Sequence, residues 1–273
     1  VPFVETKDLR IHYELDGSAD APTLVLSNSL GTNLSLWDSQ FPIFSQRFRV
    51  LRYDSRGHGQ TSATQGEYSV EILGRDVLQL LDALNLEQIN FCGLSIGGMI
   101  GMWLAVNAPE RLEKLVLSNT APKIGQLDTW NERIRAVRKG GTKAVAQQVV
   151  ERWFTPGFRL SHPDEIRKTC NMIETTSTDG YVGSCAAVRD FDFWKKVGTI
   201  HLQTLVIAGT HDASVPTPDA QKLARQISAA HYIELAAAHI SNVEAASRFT
   251  DEVSSFLHGE GAQWMNANAS KQA

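Results

Sequence analysis

Ile89-Asn90-Phe91-Cys92-Gly93-Leu94-Ser95-Ile96-Gly97 decides the fold of this chain. Ile89 to Cys92 is a short apolar run of strand character. From Ile96 the chain reads as a helix to about Asn107, stopping ahead of Pro109, because the residue before a proline is pushed out of the α region. Between the two lies a Gly-x-Ser-x-Gly turn. A strand that passes so sharply into a helix needs glycines where side chains would collide, and it lifts the serine above the sheet edge. The helix N-terminus beneath also favours negative charge developing there. The bare pattern is weak, since an ordinary strand–turn–helix with a bystander serine would contain it. The strand before and the helix after make Ser95 a candidate nucleophile.

Further apolar runs flank this turn at Thr23–Ser27, Arg49–Tyr53, Lys114–Ser118, Thr204–Ala208 and Tyr232–Leu235. They are near-continuously apolar and mostly β-branched, the pattern of strands buried on both faces of a parallel sheet. Phe3–Glu5 and Ile11–Leu15 alternate across the polar Thr6–Asp8 and predict an opening hairpin. Val70, Leu73, Val77, Leu80, Leu81 and Leu84 share a helical face behind the N-cap candidate Ser69. The fold class is therefore α/β, with a mostly parallel, doubly wound sheet. From 121 to 197 the strands stop. Helices are expected at Trp130–Arg138, Lys143–Phe154, Pro163–Thr175 and Asp179–Val188, separated by Gly140-Gly141, Pro156-Gly157 and Asp179-Gly180. The expected division is a core of 1–120 and 198–258, a helical cap at 121–197 inserted between late strands, and a polar, disordered tail at 259–273.

A nucleophilic serine needs a base, and folds built on this turn order their triad serine, acid, histidine. Leu205-Val206-Ile207-Ala208-Gly209 leads into Thr210-His211-Asp212, and Ile233-Glu234-Leu235 leads through Ala236–Ala238 to His239. Both positions follow strand C-termini, where open α/β sheets bind ligands. Asp212 and His239 are thus the candidate acid and base. His211 precedes the acid and shapes its loop. His58 falls out of chain order and reads as a structural histidine; Asp54 reads as a loop brace. His12, His162, His201, His231 and His258 show no partner pattern, and Asp219, past Pro216 and Pro218, opens a helix. The oxyanion donors expected are the backbone N–H groups of Ile96 and of Leu30, with Gly31 letting the loop turn in close.

Composition narrows the partners. A net charge of −4 provides no basic field for nucleic acid or a membrane surface, while 42% hydrophobic residues supply an ordinary globular core. No uncharged apolar run reaches the ~18 residues of a membrane span. Val1–Leu15 lacks the plan of a signal peptide, and the three cysteines, Cys92, Cys170 and Cys185, match neither a disulfide framework nor a metal site. A cytoplasmic location is expected. With no His-Glu-x-x-His motif and no phosphate-binding glycine loop, neither metal nor cofactor is expected. Oligomeric state is left open, a homo-oligomer included.

The same segments carry a more particular resemblance. Leu26-Ser27-Asn28-Ser29-Leu30-Gly31-Thr32, Tyr53-Asp54-Ser55-Arg56-Gly57-His58-Gly59 and Phe91 to Met99 resemble the 3-oxoadipate enol-lactonases of the α/β-hydrolase superfamily. So do Asn119-Thr120-Ala121-Pro122-Lys123-Ile124-Gly125, Ala208 to Asp212 and His239 to Glu244, so the likeness runs from about Phe3 to Phe256. Many members of the superfamily carry His-Gly where this chain has Asn28-Ser29; the donors there are main-chain groups, so the departure need not disable the hole.

The resemblance implies a small substrate, an enol-lactone bearing a carboxymethyl arm from aromatic-compound catabolism, opened to 3-oxoadipate. An anionic arm needs a cation near an apolar pocket. Trp130 and Arg133, three apart on one helical face, offer one, and the family's pattern places a Trp and an Arg there. The same pair also reads as a solvated arginine beside a core tryptophan. Rival readings keep the triad and change the pocket: a general carboxylesterase, another lactonase or a cofactor-free haloperoxidase (perhydrolase). A ligand-binding protein without turnover is the rival from another class.

Overall fold

The computed structural model describes residues 2–259. In chain order its strands and helices are β1 (Phe3–Glu5), β2 (Arg10–Asp16), β3 (Thr23–Ser27), α1 (Phe41–Phe44), β4 (Arg49–Tyr53), α2 (Val70–Ala83), β5 (Ile89–Leu94), α3 (Ile96–Asn107) and β6 (Leu112–Ser118). Five helices follow: α4 (Leu127–Gly140), α5 (Lys143–Trp153), α6 (Pro156–Ser161), α7 (Pro163–Thr175) and α8 (Thr178–Asp190). Then come β7 (Gln203–Gly209), α9 (Thr217–Gln226), β8 (Ala230–Leu235), α10 (Ser241–Glu244) and α11 (Ala246–His258). The expected tail, apart from Gly259, lies outside the described residues.

The strands form one sheet in the order β1-β2-β4-β3-β5-β6-β7-β8. Only β1–β2 and β2–β4 pair antiparallel; the rest are parallel, as their uninterrupted apolar character requires. Register matters for function. Ser27 pairs with Gly93, Leu94 with Ser118, Ser118 with Ile207 and Gly209 with Leu235. The C-terminal ends of β3, β5, β6, β7 and β8 therefore finish level, and the loops after them open on one sheet edge.

α3 lies behind the centre of the sheet, with every residue from Ile96 to Ala105 buried. Such a helix has no solvated face, so its place is fixed by packing on β5 and β6 rather than by amphipathicity. α2 is the opposite case. Its apolar stripe is buried while Ser69 Oγ accepts from Ile72 N–H at 3.2 Å, a cap that contributes about 1 kcal/mol.

Several element boundaries differ from those expected. Pro156-Gly157 does not separate helices; it opens α6, with Thr155 Oγ1 accepting from Phe158 N–H. Proline is at home in a first helical turn, where its missing N–H has no partner to lose. α4 begins at Leu127, a turn before Trp130, and β5 and β6 each gain two residues. α9 starts at Thr217 with Asp219 in its first turn, as the paired prolines predict.

Candidate active site

Ser95 sits between β5 and α3 at φ 59°, ψ −116°, a conformation that non-glycine residues rarely hold. Close packing imposes it. A Cβ on Gly97 would stand 2.3 Å from Ser27 O, so only glycine lets α3 start this near β3. The serine backbone is held by Ser95 N–H donating to Ser118 O at 2.9 Å and Thr120 Oγ1–H donating to Ser95 O at 2.7 Å.

Ser95 Oγ lies 3.0 Å from His239 Nε2, and His239 Nδ1 lies 2.8 Å from Asp212 Oδ2. The three residues, 144 positions apart at the extremes, meet above the level strand ends and are all buried. Asp212 has further donors: Ser214 N–H and Val215 N–H to Oδ1 at 2.7 and 2.9 Å, and Asn119 Nδ2–H to Oδ2 at 3.0 Å. Burial pushes the Asp212 carboxyl upward, but the charge of His239 and these hydrogen bonds outweigh it and hold the group below its usual range. A carboxylate kept ionised on Nδ1 orients the imidazole so that Nε2 can accept the serine proton.

Beside the hydroxyl, Leu30 and Ile96 are both buried, and their backbone N–H groups find no acceptor among the described residues. The loop that presents Leu30 is braced on three sides. Trp37 Nε1–H donates to Asn28 Oδ1 at 2.9 Å, Asn28 Nδ2–H donates to Tyr53 O at 2.7 Å, and Gly31 N–H donates to His58 Nε2 at 2.9 Å. Asn28 thus supports the loop through its side chain, and His58 is the structural histidine its position suggests. Asp54 braces as expected, accepting from Leu34 and Gln60 N–H at 2.8 Å each. It also pairs with His12 at 2.6 Å, a partner that no pattern in the sequence around His12 announces.

One cavity contains Ser95 and His239 together with Leu30, Trp130, Arg133, Arg152, Trp153 and Ser214 in its wall. Trp130 Nε1–H donates to Ile124 O at 2.7 Å, and the Arg133 guanidinium lies 4.8 Å from the Trp130 ring centre. Its charge reaches α8, where burial pushes the Cys185 thiol up to about 12 and Arg133 partly opposes the rise. Among the described residues no carboxylate pairs with Arg133 or with Arg152. Apart from His239, these two arginines are the ionisable groups lining the cavity, in a chain whose net charge is −4.

Sequence reasoning misses Asn119 and Arg152. Asn119 also donates to Ala238 O at 3.1 Å and accepts from Ser118 and Ser241 hydroxyls, joining three strand ends. Its place directly after β6 was the available signal. Arg152 has none, being one exposed cation on an amphipathic helix.

The family model for the alpha/beta hydrolase fold matches residues 22–246. A 3-oxoadipate enol-lactonase of Acinetobacter baylyi is 40% identical over 92% of this chain and 94% of its own length. A second enol-lactonase of that organism is 34% identical over 89% of this chain and 91% of its own. The crystal structure of the enol-lactonase from Burkholderia xenovorans superposes with a TM-score of 0.93 at 41% identity, covering 94% of this chain and all of that one.

Proposed function

This chain belongs to the α/β-hydrolase family and is an ester hydrolase, and from that premise we propose that it opens 3-oxoadipate enol-lactone to 3-oxoadipate through an acyl-enzyme on Ser95. His239 Nε2 takes the hydroxyl proton as Ser95 Oγ attacks the lactone carbonyl, while Asp212 stabilises the resulting imidazolium. The N–H groups of Leu30 and Ile96 receive the oxyanion, each contributing about 3–4 kcal/mol to the transition state. Collapse breaks the bond from the carbonyl carbon to the ring oxygen, and His239 returns the proton to that enol oxygen. Water, with His239 as base, then cleaves the acyl-enzyme and leaves a carboxylate. The released enol tautomerises to the ketone, which pulls ring opening forward.

The observation that carries the substrate choice is the half-buried Arg133, with no ion-pair partner among the described residues, in the same cavity as Ser95. A cation so placed is neutralised when a carboxylate arm enters, and the planar guanidinium suits it bidentately. The relatives named as enol-lactonases support the same choice. A place in aromatic-compound breakdown and in the cytoplasm goes with that substrate, and the three free thiols suit a reducing compartment.

The test is a hydrolysis panel of enol-lactone, simple lactones and neutral p-nitrophenyl esters. Arg133→Ala should lower kcat/KM for the anionic lactone roughly ten- to a hundredfold, the worth of a charge-assisted hydrogen bond, and leave neutral esters almost unchanged. An equal loss on both substrates, or none, refutes the anchor. A wild-type enzyme that prefers simple esters is a carboxylesterase instead.

A further inference from the structure

Hydrolysis as proposed above turns a monocarboxylate lactone into a linear dicarboxylate, and the cavity holds two arginines rather than one. They sit on different helices. Arg133 rests on Trp130 of α4. Arg152 is the penultimate residue of α5, and its Nη2–H reaches Ala213 O, directly after Asp212. Arg152 therefore stands on the reacting side of the cavity and Arg133 over the Trp130 wall. Arg152 is exposed yet lines the cavity, which puts it at the mouth. Its guanidinium is scarcely engaged: Nη2–H donates to Ala213 O at 3.4 Å, the outer limit of a hydrogen bond, and no carboxylate among the described residues meets it. Ser214, in the loop after Asp212, lines the same cavity.

We propose that Arg152 receives the carboxylate that hydrolysis creates. The cavity is then a two-point site for a short linear dicarboxylate, with Arg133 on the arm and Arg152 on the new acid. This rests on the hydrolytic reading of Ser95 and goes beyond it, because the lactone itself has no second carboxylate for Arg152 to hold. Arg152 is a determinant of product binding and release, not of bond cleavage. Its grip on the dianion is a surface cation's grip, screened by salt over a Debye length of about 8 Å at physiological ionic strength.

The experiment uses hydrolysis of neutral p-nitrophenyl acetate as reporter, inhibited by adipate or by its monoamide, which has the same chain, one carboxylate and no ester for Ser95 to cleave. Wild type should bind adipate roughly two- to fivefold more tightly than the monoamide, within the range of an exposed ion pair. Arg152→Gln should abolish that preference by weakening adipate to the level of the monoamide, with reporter turnover read in parallel. Arg152→Lys should keep part of the preference, since a point charge replaces the fork. Raising salt should shrink the wild-type preference toward that of the glutamine variant. Equal inhibition by diacid and monoamide in wild type overturns the proposal, as does a preference that survives Arg152→Gln. A collapse of reporter turnover in Arg152→Gln also overturns it, by making the residue a strut for the Asp212 loop. Whether wild type opens the enol-lactone is read separately, so the failure of that reading is told apart from failure here.

Discussion

Both oxygens of Asp212 are committed before any substrate arrives, Oδ1 to two backbone N–H groups and Oδ2 to His239 and Asn119. Asp212→Asn would leave the shape of the loop but present an amide where Nδ1–H needs an acceptor. The expected cost is ~10⁴ in kcat with KM little changed, the loss seen when a triad imidazole is held in the wrong tautomer. Asn119→Ala removes one donor to that carboxylate and the link to Ala238 O, and should lower kcat about tenfold, the smaller end of a charged hydrogen bond. The sign of the pH effect follows from the lowered Asp212 value. A carboxyl depressed in the folded state stabilises the protein above its unfolded value, and that contribution disappears as pH falls through the folded one. The difference in melting temperature between wild type and Asp212→Asn should hold from neutral pH down to about pH 4 and narrow below it. A gap constant to pH 2 would contradict the ionised, paired state.

At the scale of elements the elbow is the most constrained part of the molecule. Gly97→Ala would push α3 from β3, because its Cβ would meet Ser27 O at 2.3 Å, a backbone atom that cannot swing aside. Ser95 and the Ile96 N–H ride on that helix start, and a misplacement near 1 Å costs on the order of a hundredfold in rate. Kinetics on a neutral ester should show that loss in kcat, and near-normal kcat in a folded variant would mean the contact relaxes elsewhere. The elbow was legible from sequence because its information is local: a strand, a glycine pair and a helix within nine residues. The candidate acid and histidine positions could be proposed for a related reason, since each follows an apolar run, whereas the order of the strands in the sheet could not. Groups defined by distant partners were not. His12 and Asp54 are 42 residues apart, and nothing around either announces the other. Arg152 reads as a solvated helix residue until the fold sets α5 at the cavity mouth. α6 was hidden by Pro156-Gly157, a pair that breaks a helix interior but starts a helix as readily.

The whole molecule binds its helical insertion to the sheet at many points, which sets how it should unfold. Tyr68 N–H donates to Gly183 O at 3.1 Å and Ile240 N–H to Trp153 O at 3.2 Å, both backbone bonds from core to insertion. Glu244, just past His239, accepts from Thr155 N–H and its hydroxyl and from Ala238 N–H, fastening the start of α6 to the histidine loop. Arg189 pairs with Glu67 at 2.8 Å and Lys168 with Asp38 at 2.7 Å. The tightest seam is backbone on backbone. A Cβ on Gly180, in the first turn of α8, would stand 2.2 Å from Gly57 O. With cavity walls drawn from both parts, an insertion that melted alone would expose the buried faces of α4, α5 and α8 and release the histidine loop. Calorimetry should therefore show one transition, not a small early peak for the insertion and a later one for the sheet. Gly180→Ala should lower the midpoint of that single transition by roughly 2–10 °C, from an overpacking cost of about 1–3 kcal/mol in a chain of this size. Activity should respond unequally, because α8 packs on α4 and α4 holds Arg133. A displaced α8 should reduce efficiency on the anionic lactone more than on p-nitrophenyl acetate, whose reaction needs only groups rooted in the sheet. Two separate transitions in wild type, with the neutral ester still turned over between them, would show that insertion and sheet are energetically independent.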